Sequence, residues 1–164
     1  MNPDELCSYL KDRSMYPIHQ NMIQISNTLE QWKIDFVKLG LLQESFFELL
    51  QDTLTEIESH LRRKETIFYP FVSVLTSRNP NPDKPAPLAQ NAMSMLKKEY
   101  SSIRLKLTSL RQHTDLIDMA ACSHKLCILN LGALFEIEQE ILKQFHVEQT
   151  ILFPKIAALE KAVV

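Results

Sequence analysis

The chain has 164 residues, a formal net charge of −2 and only two glycines, Gly40 and Gly132. That length suits one domain able to bury a core without staples, and the scarcity of turn glycines argues against a β-rich fold and for an all-α one. Its cations are spread along the sequence, with Arg62-Arg63-Lys64 the densest group, so no basic face is present to displace nucleic-acid counterions.

Residues 1–14 are polar and charged, without the apolar stretch of a signal peptide. They are expected to form a loose or peripherally docked arm ahead of a single domain over 15–164. A first helix, A, is expected after Pro17, a residue suited to a helix start. Ile18, Met22, Ile25, Leu29, Trp32 and Phe36 step by four and three in alternation, the seam of a packed helix. Gly40 marks its break or C-cap.

Helix B runs from about Leu42 with the stripe Phe46, Leu50, Thr53, Ile57, His60 and Lys64, and is expected to end or kink near Pro70. Residues 77–87 hold four of the eight prolines and predict a long solvated loop between B and C. Helix C, about 89–112, has the stripe Met93, Leu96, Tyr100, Ile103, Leu107 and Leu110. A turn around His113 to Asp115 leads to helix D, with Cys127, Asn130, Leu134, Ile137, Ile141, Gln144 and Glu148 in line. Pro154 ends or bends D, and the tail from Lys155 is expected to add one or two helical turns.

The three cysteines, Cys7, Cys122 and Cys127, form no Cys-x-x-Cys pair and are odd in number. Reduced thiols in a cytoplasmic protein are the simplest expectation, with Cys127 a small core residue. No apolar run approaches a membrane span.

The chain also repeats itself at an offset of 84 residues. Leu50 matches Leu134, Glu56 matches Glu140, Ile57 matches Ile141, Thr66 matches Thr150, Ile67 matches Ile151 and Pro70 matches Pro154. In that register His60 faces Gln144 and Lys64 faces Glu148. Four amphipathic helices in two matched pairs predict an antiparallel up-down-up-down four-helix bundle. Helix direction then gathers His19, His60, Lys64, Tyr100, Gln144 and Glu148 at one end.

Such a cluster has two chemical readings. His19, His60 and Glu148 offer two imidazoles and a carboxylate, a set able to hold a ferrous ion with open positions. Lys64 opposes that reading, because an ammonium repels a cation and can pair with Glu148. The other histidines carry less: His146 points about 200° away from Gln144 on a 3.6-residue period, His113 suits a helix C-terminus, and His124 lies at the far end of the bundle. No spacing suggests a nucleophilic triad, and no Gly-rich phosphate loop exists, so a non-enzymatic role is favoured.

The segments His60-Leu-Arg-Arg-Lys-Glu-Thr-Ile-Phe-Tyr-Pro70 and Gln144-Phe-His-Val-Glu-Gln-Thr-Ile-Leu-Phe-Pro154 resemble the two His-x-x-x-Glu…Leu-Phe-Pro segments of hemerythrin-like (HHE cation-binding) domains, nearest to the iron–sulfur-repair di-iron proteins. The resemblance spans roughly residues 16–160. It implies a bundle whose family members use a His-rich, carboxylate-bridged di-iron site to bind oxygen, respond to nitric oxide or peroxide, or donate iron. Carried onto this chain, His19, His60 and Glu148 match ligand positions, while Lys64, Tyr100 and Gln144 replace them, and no second first-helix histidine exists between His19 and His60. The ligand set is thus eroded. Three functions follow as expectations. The first is a metal-free interaction or regulatory bundle with a protein partner and no cofactor. The second is a mononuclear non-haem iron (or zinc) binder, a sensor of oxygen or nitric oxide. The third, from a weaker resemblance around Phe145, Val147 and Glu148, is a sigma-factor-binding regulator of the Rsd/AlgQ type.

Overall fold

The computed structural model describes residues 1–40, 44–77, 88–115 and 125–162. The expected proline-rich loop, apart from Ser77, and the residues Cys122 and His124 lie outside the described residues. Those described are almost wholly helical, with no strand among them. The helices are α1 (Pro3–Leu10), α2 (Tyr16–Lys38), α3 (Glu44–Arg63), α4 (Tyr69–Thr76), α5 (Leu88–Asp115), α6 (Lys125–Val147) and α7 (Phe153–Ala162). Three five-residue π-helical segments join some of them end to end: π1 (Lys11–Met15), π2 (Lys64–Phe68) and π3 (Glu148–Leu152).

Four long helices, α2, α3, α5 and α6, make an all-α bundle. Every seam residue anticipated on them is buried, from Ile18 on α2 to Gln144 on α6 and Glu148 just beyond it. Cross-links Ser14 to Glu140, Asn21 to Glu136 and Thr28 to Asn130 run in opposite senses along the continuous π1–α2 rod and α6, so these two are antiparallel. Lys106 to Asp52, then Glu99 to Arg63, order α3 and α5 the same way. At the α2–α3 end, Trp32, Phe36, Phe46 and Phe47 form a cluster of mostly edge-to-face rings. The seam's minor polar residues are satisfied: Asn130 bonds Thr28, and Thr53 bonds the Leu49 carbonyl at 2.6 Å.

Pro17 stands at a helix start as expected, and Pro70 and Pro154 interrupt the α-helical ladder without ending it. Pro17, Pro70 and Pro154 each stand second in a helix that resumes after a π segment, and none of them ends its helical rod. A proline ring clashes with the carbonyl four residues back and offers no N–H. One wider turn relieves both problems, because the ladder there skips a residue: Tyr69 N–H bonds the Lys64 carbonyl and Phe153 N–H bonds that of Glu148. The 84-residue repeat is therefore also structural, with π2 and π3 at matched positions. Thr66 and Thr150 repeat the same bond to the carbonyl four residues back, each at 2.7 Å.

The N-terminal segment is helical over Pro3–Leu10. A capping box starts it, with Asn2 and Glu5 bonding each other's backbone N–H, and Pro3 follows in the first turn. Leu6, Cys7 and Leu10 are buried, and α1 packs against α4. Helix α5 continues through the expected turn at His113 to Asp115. Cys127 is buried, as expected of a small core residue, and Cys7 is a buried free thiol. Among the described residues no helix is long and apolar enough to cross a membrane.

Gly40 ends α2 with φ +68°, the left-handed cap anticipated for it. A Cβ there would meet nothing within 4 Å, so backbone strain is the whole penalty. Gly40→Ala should lower the unfolding free energy by about 1 kcal/mol, read from the urea midpoint; an unchanged midpoint would contradict the left-handed cap.

Candidate functional site

The polar cluster forms where π1, π2, α5 and the end of α6 meet. Lys64, the first residue of π2, is fully buried. Its Nζ donates to Glu148 Oε1 at 2.7 Å and to Gln144 Oε1. Below it, the Tyr100 and Phe145 rings stack 4.0 Å apart, and the ammonium lies 5.7 and 5.5 Å from their centroids, a cation–π arrangement. Tyr100 Oη donates to the second Glu148 oxygen at 2.9 Å. Gln144 Nε2 donates to Ser14 Oγ at 3.1 Å, and Ser14 Oγ reaches the Glu140 carbonyl at 3.4 Å.

The matched positions Lys64 and Glu148 thus meet, as the repeat predicts. Burial lowers the Lys64 pKa, and Glu148 opposes that shift. Burial also raises the phenols of Tyr100 and Tyr69, with the Glu148 charge adding to it. The Cys7 thiol is pushed up to about 12 by burial first and then by Glu148. The two phenols and the Cys7 thiol therefore keep their protons at neutral pH and act as donors or apolar filler, not as nucleophiles.

His60 lies beside this network but outside its hydrogen bonds. Its ring meets Tyr100 and Phe145 edge-on, and its Nδ1 bonds Glu99 Oε2. Arg63 holds the other Glu99 oxygen at 2.6 Å. Since a carboxylate accepts, Nδ1 carries the proton in the neutral ring, leaving the buried Nε2 with no hydrogen-bond partner among the described residues. Burial drives the His60 pKa down to about 4, against the pull of Glu99. For Glu99 burial acts upward, but the bonds from His60 and the nearby Arg63 prevail and its pKa is lowered.

The three anticipated metal ligands are not assembled. Among the described residues no group of three or more His, Cys, Asp or Glu could hold a metal ion. His19 is 37 % exposed and bonds Glu65 at 3.2 Å. Ile18 occupies the seam position, and one residue further turns the side chain about 100° away. Glu148 spends both oxygens on Lys64 and Tyr100. His146 is exposed, as read from its spacing, and His113 lies partly buried against Phe46.

Two participants escaped the sequence reading. Glu99 precedes the stripe residue Tyr100, and its only signal was a carboxylate beside a seam that faces His60. Ser14 fell in the assumed arm; the Asn2-Pro3-Asp4-Glu5 capping signal could have extended the helical reading over it. The chain matches no protein-family model, no curated protein and no solved structure.

Two outcomes test this arrangement. Glu148→Gln leaves the Lys64 charge buried without its counter-ion, and should cost about 3 kcal/mol of stability by chemical denaturation; adding Lys64→Met should recover part of that loss. For His60, the folded pKa is depressed below the unfolded 6.5, so the unfolded chain binds more protons between the two values. Stability should be full above about pH 6.5 and fall by roughly 3 kcal/mol as pH drops toward 4. His60→Gln should flatten the upper part of that profile; an identical slope in the variant would assign the pH dependence elsewhere.

Proposed function

We propose that the chain is a hemerythrin-like up-down-up-down bundle in which a Lys64–Glu148 pair occupies the interior where relatives of that type would hold metal. It acts as an interaction or regulatory module and binds a protein partner. The observation that carries this reading is the fully buried Lys64 ammonium, held by Glu148 and Gln144 above two stacked rings. A lysine donating to Glu148 at that point supplies the partner that a cation would otherwise supply. The matched π segments and aromatic-Pro endings, 84 residues apart, support the hemerythrin-like descent.

The mononuclear iron reading has less support. His19 is engaged with Glu65, and Glu148 already has two donors. Catalysis also lacks support, since Lys64, Gln144, Glu148 and Tyr100 at the centre are bonded to one another.

Metal content tests the proposal. Protein purified without chelators, and then loaded anaerobically with ferrous iron, should carry well below one iron per chain in both states. Iron at one per chain that disappears in His60→Ala would overturn it and reinstate the sensor.

A further inference from the structure

Away from the buried pair, an apolar cleft of about 290 Å3 opens between the π2–α4 segment and α5. Ile67 and Phe68 form one wall, and Ala92, Met95 and Leu96 the other. Ile67 and Met95 are 65 % and 58 % exposed, so two large apolar side chains stand in solvent at its mouth. Only Arg63 and Glu99 bring charge to the lining.

Those two residues are not equivalent as ligand partners. Both Glu99 oxygens are engaged, one by His60 and one by Arg63. Arg63 is 45 % exposed and uses one nitrogen, Nη2, on Glu99. A guanidinium has five N–H donors in a planar fork, so this one keeps spare donors for an anionic acceptor. A carboxylate matches that fork in shape. The neighbouring Glu99 charge favours a monoanion over a doubly charged phosphate. The volume sits at the lower edge of the roughly 300–1,000 Å3 typical of ligand clefts, which suits one aliphatic chain.

We propose that this cleft binds a short- to medium-chain monocarboxylate, its chain against Ile67, Phe68, Met95 and Leu96 and its carboxylate on Arg63. The site is independent of whether the bundle interior holds metal.

Titration calorimetry with octanoate and with octanol on the full chain tests it. Octanoate should bind saturably, and Arg63→Gln should weaken it about tenfold, the loss of one charge-assisted hydrogen bond. Octanol should be indifferent to that change. Met95→Glu, a surface substitution, should weaken both, with helicity checked by circular dichroism. No saturable octanoate binding, or equal binding by the parent and Arg63→Gln, overturns the proposal. So does a dimer in light scattering that dissociates in Met95→Glu, which would assign the cleft to a second copy of the chain.

Discussion

The ion pair between Lys64 and Glu148 is the constraint around which the interior is arranged. Moving two charges from water into protein costs several kcal/mol for each, and their attraction offsets this only if the remaining donors and acceptors are also met. Here they are met in sequence. Glu148 takes Lys64 on one oxygen and Tyr100 on the other, Lys64 also takes Gln144, and Gln144 turns its amide to Ser14. These five side chains come from four helical rods, Gln144 and Glu148 sharing the one made by α6 and π3. The pair therefore fixes the relative height of π1, π2, α5 and α6 more narrowly than apolar packing, which tolerates sliding, could do alone.

Periodicity made much of this legible. Residues that step by three and four must share a face, and the stripes carried Lys64, Tyr100, Gln144 and Glu148 inward together with their apolar neighbours. The internal repeat added what periodicity lacks, a register between distant helices, and so paired Lys64 with Glu148 before any coordinate did. His19 failed the same logic because it lies beside the seam rather than on it, and such a residue can turn either way. Glu99 shows the converse: an off-stripe carboxylate was drawn toward buried His60, and Arg63 joined it from solvent.

Proline was the residue type that misled most. A helix interior excludes it on steric and hydrogen-bond grounds, so Pro70 and Pro154 read as places where a helix ends or bends. The chain instead inserts a single wide turn ahead of each and continues. Sequence offers little warning of this, because the choice between ending a helix and widening it depends on what the following residues can bury. Val72 after Pro70 and Ile156 after Pro154 both find core. The same device at Pro17 joins α1 to α2 and brings Ser14 to the network.

The sign difference between the two matched positions has a consequence for assembly. A molecule built from two copies of the first half, packed as the two halves pack here, would press one Lys64 ammonium against another. Two copies of the second half would set Glu148 against Glu148. Either homotypic pairing buries like charges without relief, and only the unlike pairing is neutral. The two halves therefore differ in sign at this point, and the unlike pairing of Lys64 with Glu148 is the one that leaves the buried contact neutral.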